Sequence, residues 1–149
     1  MSGSDDPAVR VLFLCVGNSC RSQMAEALLR SIAPAGVEVV SAGSAPAEAV
    51  HPLAVELMRE DYGLDLSGHR PKHVREFLGQ RIDFAVTTCD EVRQNCPVFP
   101  TAREILHWPL EDPAAAVGSR EKRLEVFRLV AAEIRTRIER ELLPRLAAK

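Results

Sequence analysis

The sequence predicts an α/β fold in which a parallel β-sheet carries helices on both faces. Two observations lead to this prediction: short apolar segments alternate with amphipathic ones along the chain, and neither an internal repeat nor a long linker interrupts them. A length of 149 residues is typical of one domain that buries its own core. We therefore expect residues 1–149 to form a single domain, with residues 1–8 as a flexible lead-in.

The first half of the chain predicts two strands, each followed by a helix. The apolar residues 10–14 form the first strand, and the apolar positions of residues 21–32 share one helical face. Residues 37–41 resemble a second strand, which ends at the breaker cluster 42–46. Pro52 suits the first turn of the next helix.

The second half predicts one short helix, two strands and a closing helix. Residues 71–78 favour the short helix, and residues 82–87 and 104–108 favour strands. Residues 119–143 carry apolar positions at spacings of three and four, which is typical of a long amphipathic helix. Because parallel sheets bind ligands at the carboxyl ends of their strands, the residues that follow each strand are the functional candidates.

Composition excludes several classes of function. The formal net charge is −2, so no basic surface indicates nucleic acid or an anionic membrane as a partner. The N-terminus has no apolar core typical of a secretory signal, and the longest apolar run, residues 11–16, cannot span a bilayer. We expect a cytoplasmic protein whose four cysteines stay reduced and available for chemistry.

The segment between the first strand and the first helix is the strongest candidate site. Its sequence is Cys-Val-Gly-Asn-Ser-Cys-Arg, residues 15–21. Peptide N–H groups at a helix N-terminus can surround an anion, Gly17 permits close approach or positive φ, and Arg21 can add two parallel donors. The same field favours the thiolate of Cys15, a nucleophile. The predicted oxyanion-binding residues are Val16, Gly17, Asn18, Ser19, Cys20, Arg21 and Ser22.

Two other interpretations of these residues compete with the anion loop. Cys15 could be a small packing residue at a strand end, as we expect of Cys20. Alternatively, the pairs Cys15/Cys20 and His69/His73 have ligand-like spacing. The two pairs lie much farther apart than the roughly 12 to 15 residues of a compact zinc finger. We therefore predict neither a metal nor a cofactor.

Three motifs together resemble a known family. The stretch VLFLCVGNSCRSQMAEALL, residues 11–29, resembles the phosphate loop and first helix of low-molecular-weight protein tyrosine phosphatases and of the arsenate reductases that share their fold. Gln23 resembles the reductase branch, because the phosphatases usually have proline there. Residues 86–97 resemble that branch's redox segment, and residues 107–113 resemble its acid loop.

The resemblance implies a fold, an activity and a set of roles. The fold is a four-stranded parallel sheet with flanking helices, a flavodoxin-like three-layer sandwich. The activity is the thioredoxin-coupled reduction of arsenate in arsenic resistance, with phosphate or sulfate as mimics of the substrate. Cys15 is then the nucleophile, Asp112 the general acid, and Cys89 and Cys96 the relay thiols. We expect such an enzyme to be a monomer.

Two alternative functions stay open. In a phosphatase of this family, water instead of a thiol would resolve the Cys15 intermediate. Such phosphatases usually carry aromatic residues after the Asp-Pro pair, whereas residues 114–116 here are alanines. A non-catalytic anion sensor would need the donors of the loop but no nucleophile. The presence of Cys15, Asp112 and two further thiols therefore argues against a sensor.

A cation site is also implied by the resemblance. Related reductases can hold potassium beside the loop, and Asn18, Glu26 and Ser41 match three of its ligands. Lys72 stands where cation-binding members have aspartate. We expect its ammonium to take the place of the cation and pair with Glu26.

Overall fold

The computed structural model describes residues 8–89 and 99–147, which form an α/β structure on one parallel sheet. The strands in these residues are β1 (Val9–Cys15), β2 (Val37–Gly43), β3 (Phe84–Thr87) and β4 (Glu104–His107). Their order across the sheet is β2-β1-β3-β4, and every pairing is parallel. The predicted four-stranded parallel sheet is confirmed.

The helices are α1 (Arg21–Ile32), α2 (Pro52–Tyr62) and α3 (Arg120–Arg137). A π-helical turn, Ile138–Leu142, joins α3 to α4 (Leu143–Ala147), so the closing helix extends past its predicted end. Short 3₁₀ helices lie at Val74–Phe77 and Pro113–Ala115. No helix in the described residues is long and apolar enough to cross a membrane.

The central strand explains where the core lies. Val11, Leu12, Phe13 and Leu14 of β1 are all fully buried, because a strand in the middle of a parallel sheet is covered on both faces. One face packs against α1 and α3, with α2 joining the same apolar cluster. The opposite face packs against the Val74–Phe77 helix and Phe99. The carboxyl end of β1 is therefore enclosed by the fold.

The predicted helix at residues 71–78 is wrong in its extent. The Lys72 carbonyl accepts the Gly43 N–H at 2.8 Å, and His73 forms an isolated parallel bridge with Gly43. These contacts hold residues 72–73 at the end of β2, so the helical turn begins only at Val74. There the His73 Nδ1 caps it by accepting the Arg75 N–H at 3.0 Å.

Some sequence predictions lie partly outside the described residues. Residues 1–7, 90–98 and 148–149 are not described, and they include most of the predicted flexible lead-in and Cys96. The organisation of residues 1–149 as one domain therefore stays a prediction.

Candidate active site

The loop between β1 and α1 turns its carbonyl groups away from its centre. The carbonyls of Val16, Gly17 and Ser19 accept N–H groups of Ala45, Ala47 and His51, each at 2.9 Å. A trans peptide directs its N–H opposite its carbonyl, and none of the described peptides is cis. The N–H groups of Gly17, Asn18 and Cys20 therefore point inwards, which makes the loop an anion cradle.

The Cys15 sulfur lies at the bottom of this cradle. It is 2% exposed, accepts the Asn18 N–H at 3.1 Å, and lies 2.8 Å from the Ser22 Oγ. Because the Asn18 Nδ2 donates to that Oγ at 2.7 Å, the Ser22 proton is free to donate to the sulfur. Two hydrogen-bond donors therefore converge on the sulfur.

The Asn18 side chain fixes the shape of the loop. Its Nδ2 also donates to Ser41 Oγ at 3.0 Å, and its Oδ1 accepts from Gln23 Nε2 at 3.1 Å and from the Lys72 N–H at 2.9 Å. Asn18 carries the positive φ of the loop, 49°, a conformation that asparagine tolerates. The positive φ considered for Gly17 thus falls on its neighbour.

Arg21 and Asp112 meet at the mouth of the cradle. The Arg21 Nη1 donates to the Leu110 carbonyl at 3.0 Å, and its Nη2 lies 4.0 Å from the Asp112 Oδ2. The Asp112 side chain is 41% exposed, and its Oδ1 accepts the Ala114 N–H at 3.0 Å. Together the two chain segments enclose a cavity of about 180 Å³, lined by Cys15, Val16, Gly17, Ser19, Cys20, Arg21, Asp112 and Ala114.

Larger cavities exist elsewhere in the described residues, but neither of the two largest has a thiol. One of about 500 Å³ lies along the outer edge of β2, and one of about 220 Å³ lies between α1 and His69. Neither is lined by a cysteine. The smaller cavity at Cys15 is the candidate site because it combines inward N–H groups, a guanidinium and a nucleophile.

A second sulfur lies against the first. Cys89 follows β3, is 1% exposed, and packs with Cys15 and Val16 in a small buried cluster. The Thr88 N–H holds this segment to β1 by donating to the Leu14 carbonyl at 2.8 Å. Cys89 is disulfide-bonded, whereas Cys15 and Cys20 are free thiols. The predicted relay thiol Cys96 lies outside the described residues.

Cys20 has a different environment from Cys15. Its side chain is 3% exposed, and burial raises the pKa of the thiol to about 12, although the Ser19 hydroxyl at 3.7 Å opposes the shift. The thiol therefore stays protonated at neutral pH, and only its peptide N–H serves the cradle.

The residues of the predicted cation site come together behind the cradle. The Glu26 carboxylate is 4% exposed; its Oε1 accepts from the Ser41 hydroxyl at 2.5 Å and lies 3.9 Å from the Lys72 Nζ. Burial lowers the pKa of Lys72, and Glu26 opposes that shift. The replacement of a cation by Lys72 stays a prediction.

Sequence reasoning missed three features of this site: the contact of Arg30, the contact of His69, and the role of residues 44–51. Arg30, which pairs with the Glu26 Oε2 at 2.5 Å, could have been found from its i,i+4 spacing on α1. His69, 3.9 Å from the same oxygen, offered no such signal. Residues 44–51, which bind the carbonyls of the loop, were predicted only as a breaker and the start of a helix.

Metal ligands are not assembled here. Across residues 8–89 and 99–147, the His, Cys, Asp and Glu side chains form no group of three suited to an ion. His51 and His73 instead cap helical turns through their Nδ1 atoms. The centre of the His51 ring also lies 4.9 Å from the centre of the Phe127 ring. Burial lowers the pKa of His51.

Comparisons with known proteins identify relatives of this fold and loop. The model of the low molecular weight phosphotyrosine protein phosphatase family matches residues 10–149. An arsenate reductase of Halalkalibacterium halodurans is 41% identical over 129 residues, which are 87% of this chain and 91% of that protein. A solved arsenate reductase in the phosphate binding state has a TM-score of 0.76 at 31% identity and covers 94% of this chain and 98% of its own. A thioredoxin-dependent arsenate reductase of Corynebacterium glutamicum, 34% identical with a TM-score of 0.68, covers 97% of this chain and 65% of its own.

Proposed function

This chain belongs to the low molecular weight phosphotyrosine protein phosphatase family, and from that premise we propose that it reduces arsenate to arsenite with electrons from thioredoxin. The observation that carries the proposal is the contact between two buried cysteines, Cys15 and Cys89, beneath one anion cradle. A phosphatase needs only the first of them. The arsenate reductases of similar sequence and structure support the same activity.

Arsenate has the tetrahedral shape and the charge that the cradle suits. The inward N–H groups and the Arg21 guanidinium bind its oxygens, which leaves the arsenic atom facing the Cys15 sulfur. The thiolate attacks arsenic and forms a sulfur–arsenic bond, while Asp112 protonates the oxygen that leaves. Arsenic is still pentavalent in this adduct, so no electron has yet reached it.

The second thiol completes the reduction. The structure has Cys89 in a disulfide, so this step begins only after that disulfide has been reduced. The Cys89 thiolate then attacks the Cys15 sulfur, a Cys15–Cys89 disulfide forms, and the electron pair of the sulfur–arsenic bond stays on arsenic, which leaves as trivalent arsenite. Two thiols thus supply the two electrons. Their proximity is what the buried cluster provides, since neither sulfur has to cross solvent to meet the other.

Cys96 and thioredoxin regenerate the enzyme in this scheme. Cys96 attacks the Cys89 sulfur and frees Cys15, and a thioredoxin dithiol then reduces the Cys89–Cys96 disulfide. Because Cys89 is only 1% exposed, thioredoxin must open that disulfide from the Cys96 side. The relay requires a reducing compartment, so we also propose that the protein is cytoplasmic. We further propose that it is a monomer with no nucleic-acid or membrane partner.

Phosphatase activity is the second candidate, and the family itself favours it. Ala114, not an aromatic side chain, lines the cavity beside Asp112, so an aryl ring has little to stack on. We therefore expect slow hydrolysis of aryl phosphates beside faster reduction of arsenate.

The test is arsenite formation with thioredoxin, its reductase and NADPH in two relay variants. Cys89→Ser should stop at the arsenic adduct and release almost no arsenite. Cys96→Ser should release about one arsenite per enzyme and stall as a Cys15–Cys89 disulfide, because the attacking thiolate of the next exchange is missing. Both variants should still hydrolyse para-nitrophenyl phosphate, since water suffices there.

Ser31→Ala is the control, since its hydroxyl donates to the Leu28 carbonyl, away from the cradle, and the substitution should leave arsenite formation within about twofold of wild type. Mass mapping of the disulfides identifies the step at which each variant stops. Catalytic reduction at the wild-type rate by both relay variants would make Cys89 and Cys96 incidental and the phosphatase the better conclusion.

A further inference from the structure

Gly43 is the last residue of β2 and pairs with Cys15, the last residue of β1. We infer that the absence of a side chain at Gly43 sets the position of the Val16–Gly17 peptide, and through it the affinity of the cradle for an oxyanion. This makes Gly43 a positioning residue. The inference rests on the role proposed above for Cys15.

The space at Gly43 admits no side chain. An added Cβ would lie 2.3 Å from the Val16 oxygen, 2.8 Å from the Cys15 oxygen and 3.0 Å from the Val16 carbonyl carbon. All three are backbone atoms, so no side-chain rotation can relieve the overlap. Gly43 is not among the glycines with positive φ, so glycine is required here for space and not for backbone conformation.

The hydrogen bonds of the Gly43 N–H and the Val16 carbonyl indicate which backbone segment a side chain at position 43 would displace. The Gly43 N–H is held by the Lys72 carbonyl at 2.8 Å, which secures the end of β2 from its outer side. On the inner side, the Val16 carbonyl accepts the N–H of Ala45, a residue of a loop. A methyl group at position 43 should therefore displace the Val16–Gly17 peptide towards the cradle.

Such a displacement changes the chemistry at the sulfur. The Cys15 Sγ lies 2.8 Å from the Ser22 Oγ and 3.1 Å from the Asn18 nitrogen, and shifts of a few tenths of an ångström weaken bonds of this kind. The Gly17 N–H belongs to the same peptide as the Val16 carbonyl, so it moves when that carbonyl moves. Both the thiolate and a bound oxyanion lose donors.

The experiment compares Gly43→Ala with Gly68→Ala. Gly68 has open space around its Cβ position and no positive φ, so it controls for the loss of a glycine. The probe is inorganic phosphate, measured by its protection of Cys15 from iodoacetamide with mass mapping of the labelled peptide. In Gly43→Ala we expect phosphate to bind about tenfold more weakly, the loss expected when one hydrogen bond to a charged group is displaced. Alkylation of Cys15 without phosphate should also slow at a fixed pH, whereas Gly68→Ala should match wild type.

A second variant covers the case in which Gly43→Ala does not fold. Ala45→Pro removes the N–H that the Val16 carbonyl accepts without adding an atom at position 43. It should weaken phosphate protection in the same direction. The inference is overturned if a cooperatively melting Gly43→Ala, or Ala45→Pro in its place, binds phosphate as the control does. Neither readout uses arsenate reduction, so a chain that passes these tests yet makes no arsenite contradicts the proposed function alone.

Discussion

Replacing Ser22 with alanine should make Cys15 a poorer nucleophile without disturbing the fold. The Ser22 hydroxyl lies 2.8 Å from the Cys15 sulfur, and its proton points there because Asn18 Nδ2 occupies its acceptor side at 2.7 Å. A hydrogen bond to a charged group contributes about 1.5–3 kcal/mol. Since about 1.4 kcal/mol is a factor of ten, the rate of alkylation of Cys15 at neutral pH should fall roughly 10- to 100-fold.

The assay is the rate of iodoacetamide labelling of Cys15 at neutral pH. Ser22→Ala should label roughly 10- to 100-fold more slowly than wild type, in line with that factor. Ser31→Ala is the control on the same helix, because its hydroxyl donates to the Leu28 carbonyl, at 2.7 Å, and not to the sulfur. Ser22→Thr, which keeps a hydroxyl, should restore most of the rate. A labelling rate for Ser22→Ala equal to that of the control would refute the argument that Ser22 donates to the sulfur.

Three further predictions follow from the same site. Asp112→Asn should lower kcat strongly while phosphate binds as well or better, because the acid serves the leaving oxygen and its charge repels the anion; an unchanged kcat would move the acid elsewhere. Because the Lys72 ammonium lies 3.9 Å from Glu26, neither activity nor Tm should respond to potassium beyond an equal concentration of another monovalent salt, and a potassium-specific rise in Tm would disprove the replacement. The His51 Nδ1 caps α2, and burial, together with the charge of Arg123, lowers the pKa of the His51 ring. As pH falls below about 6.5 the unfolded chain therefore gains this proton before the folded chain does, so the folded protein should lose stability. His51→Asn, which can still cap the helix, should lose less Tm between pH 7.5 and 5.5; an equal loss would assign the effect to other groups.

The cradle itself was predictable because its parts are adjacent in the chain. An apolar strand, seven residues with a cysteine at one end and an arginine at the other, and an amphipathic helix are local patterns, and the structure has each within a residue or two of its predicted bounds. The resemblance of residues 11–29 to a known family is confirmed, because the family model matches residues 10–149. Short-range patterns determine short-range geometry.

The family resemblance already named Cys89 as a relay thiol, but its contact with Cys15 was decided by the tertiary structure. Cys89 meets Cys15 because β3 pairs with β1, and the order of strands in a sheet is not encoded in the strands' own patterns. Similarly, residues 44–51 turn the carbonyls outwards only because β2 lies on the other side of β1. The sequence alone therefore predicted where an anion would bind and which cysteine would face it. The packing of Cys89 against that cysteine, and the glycine that must leave room beside it, depended on contacts between strands that are distant in the chain.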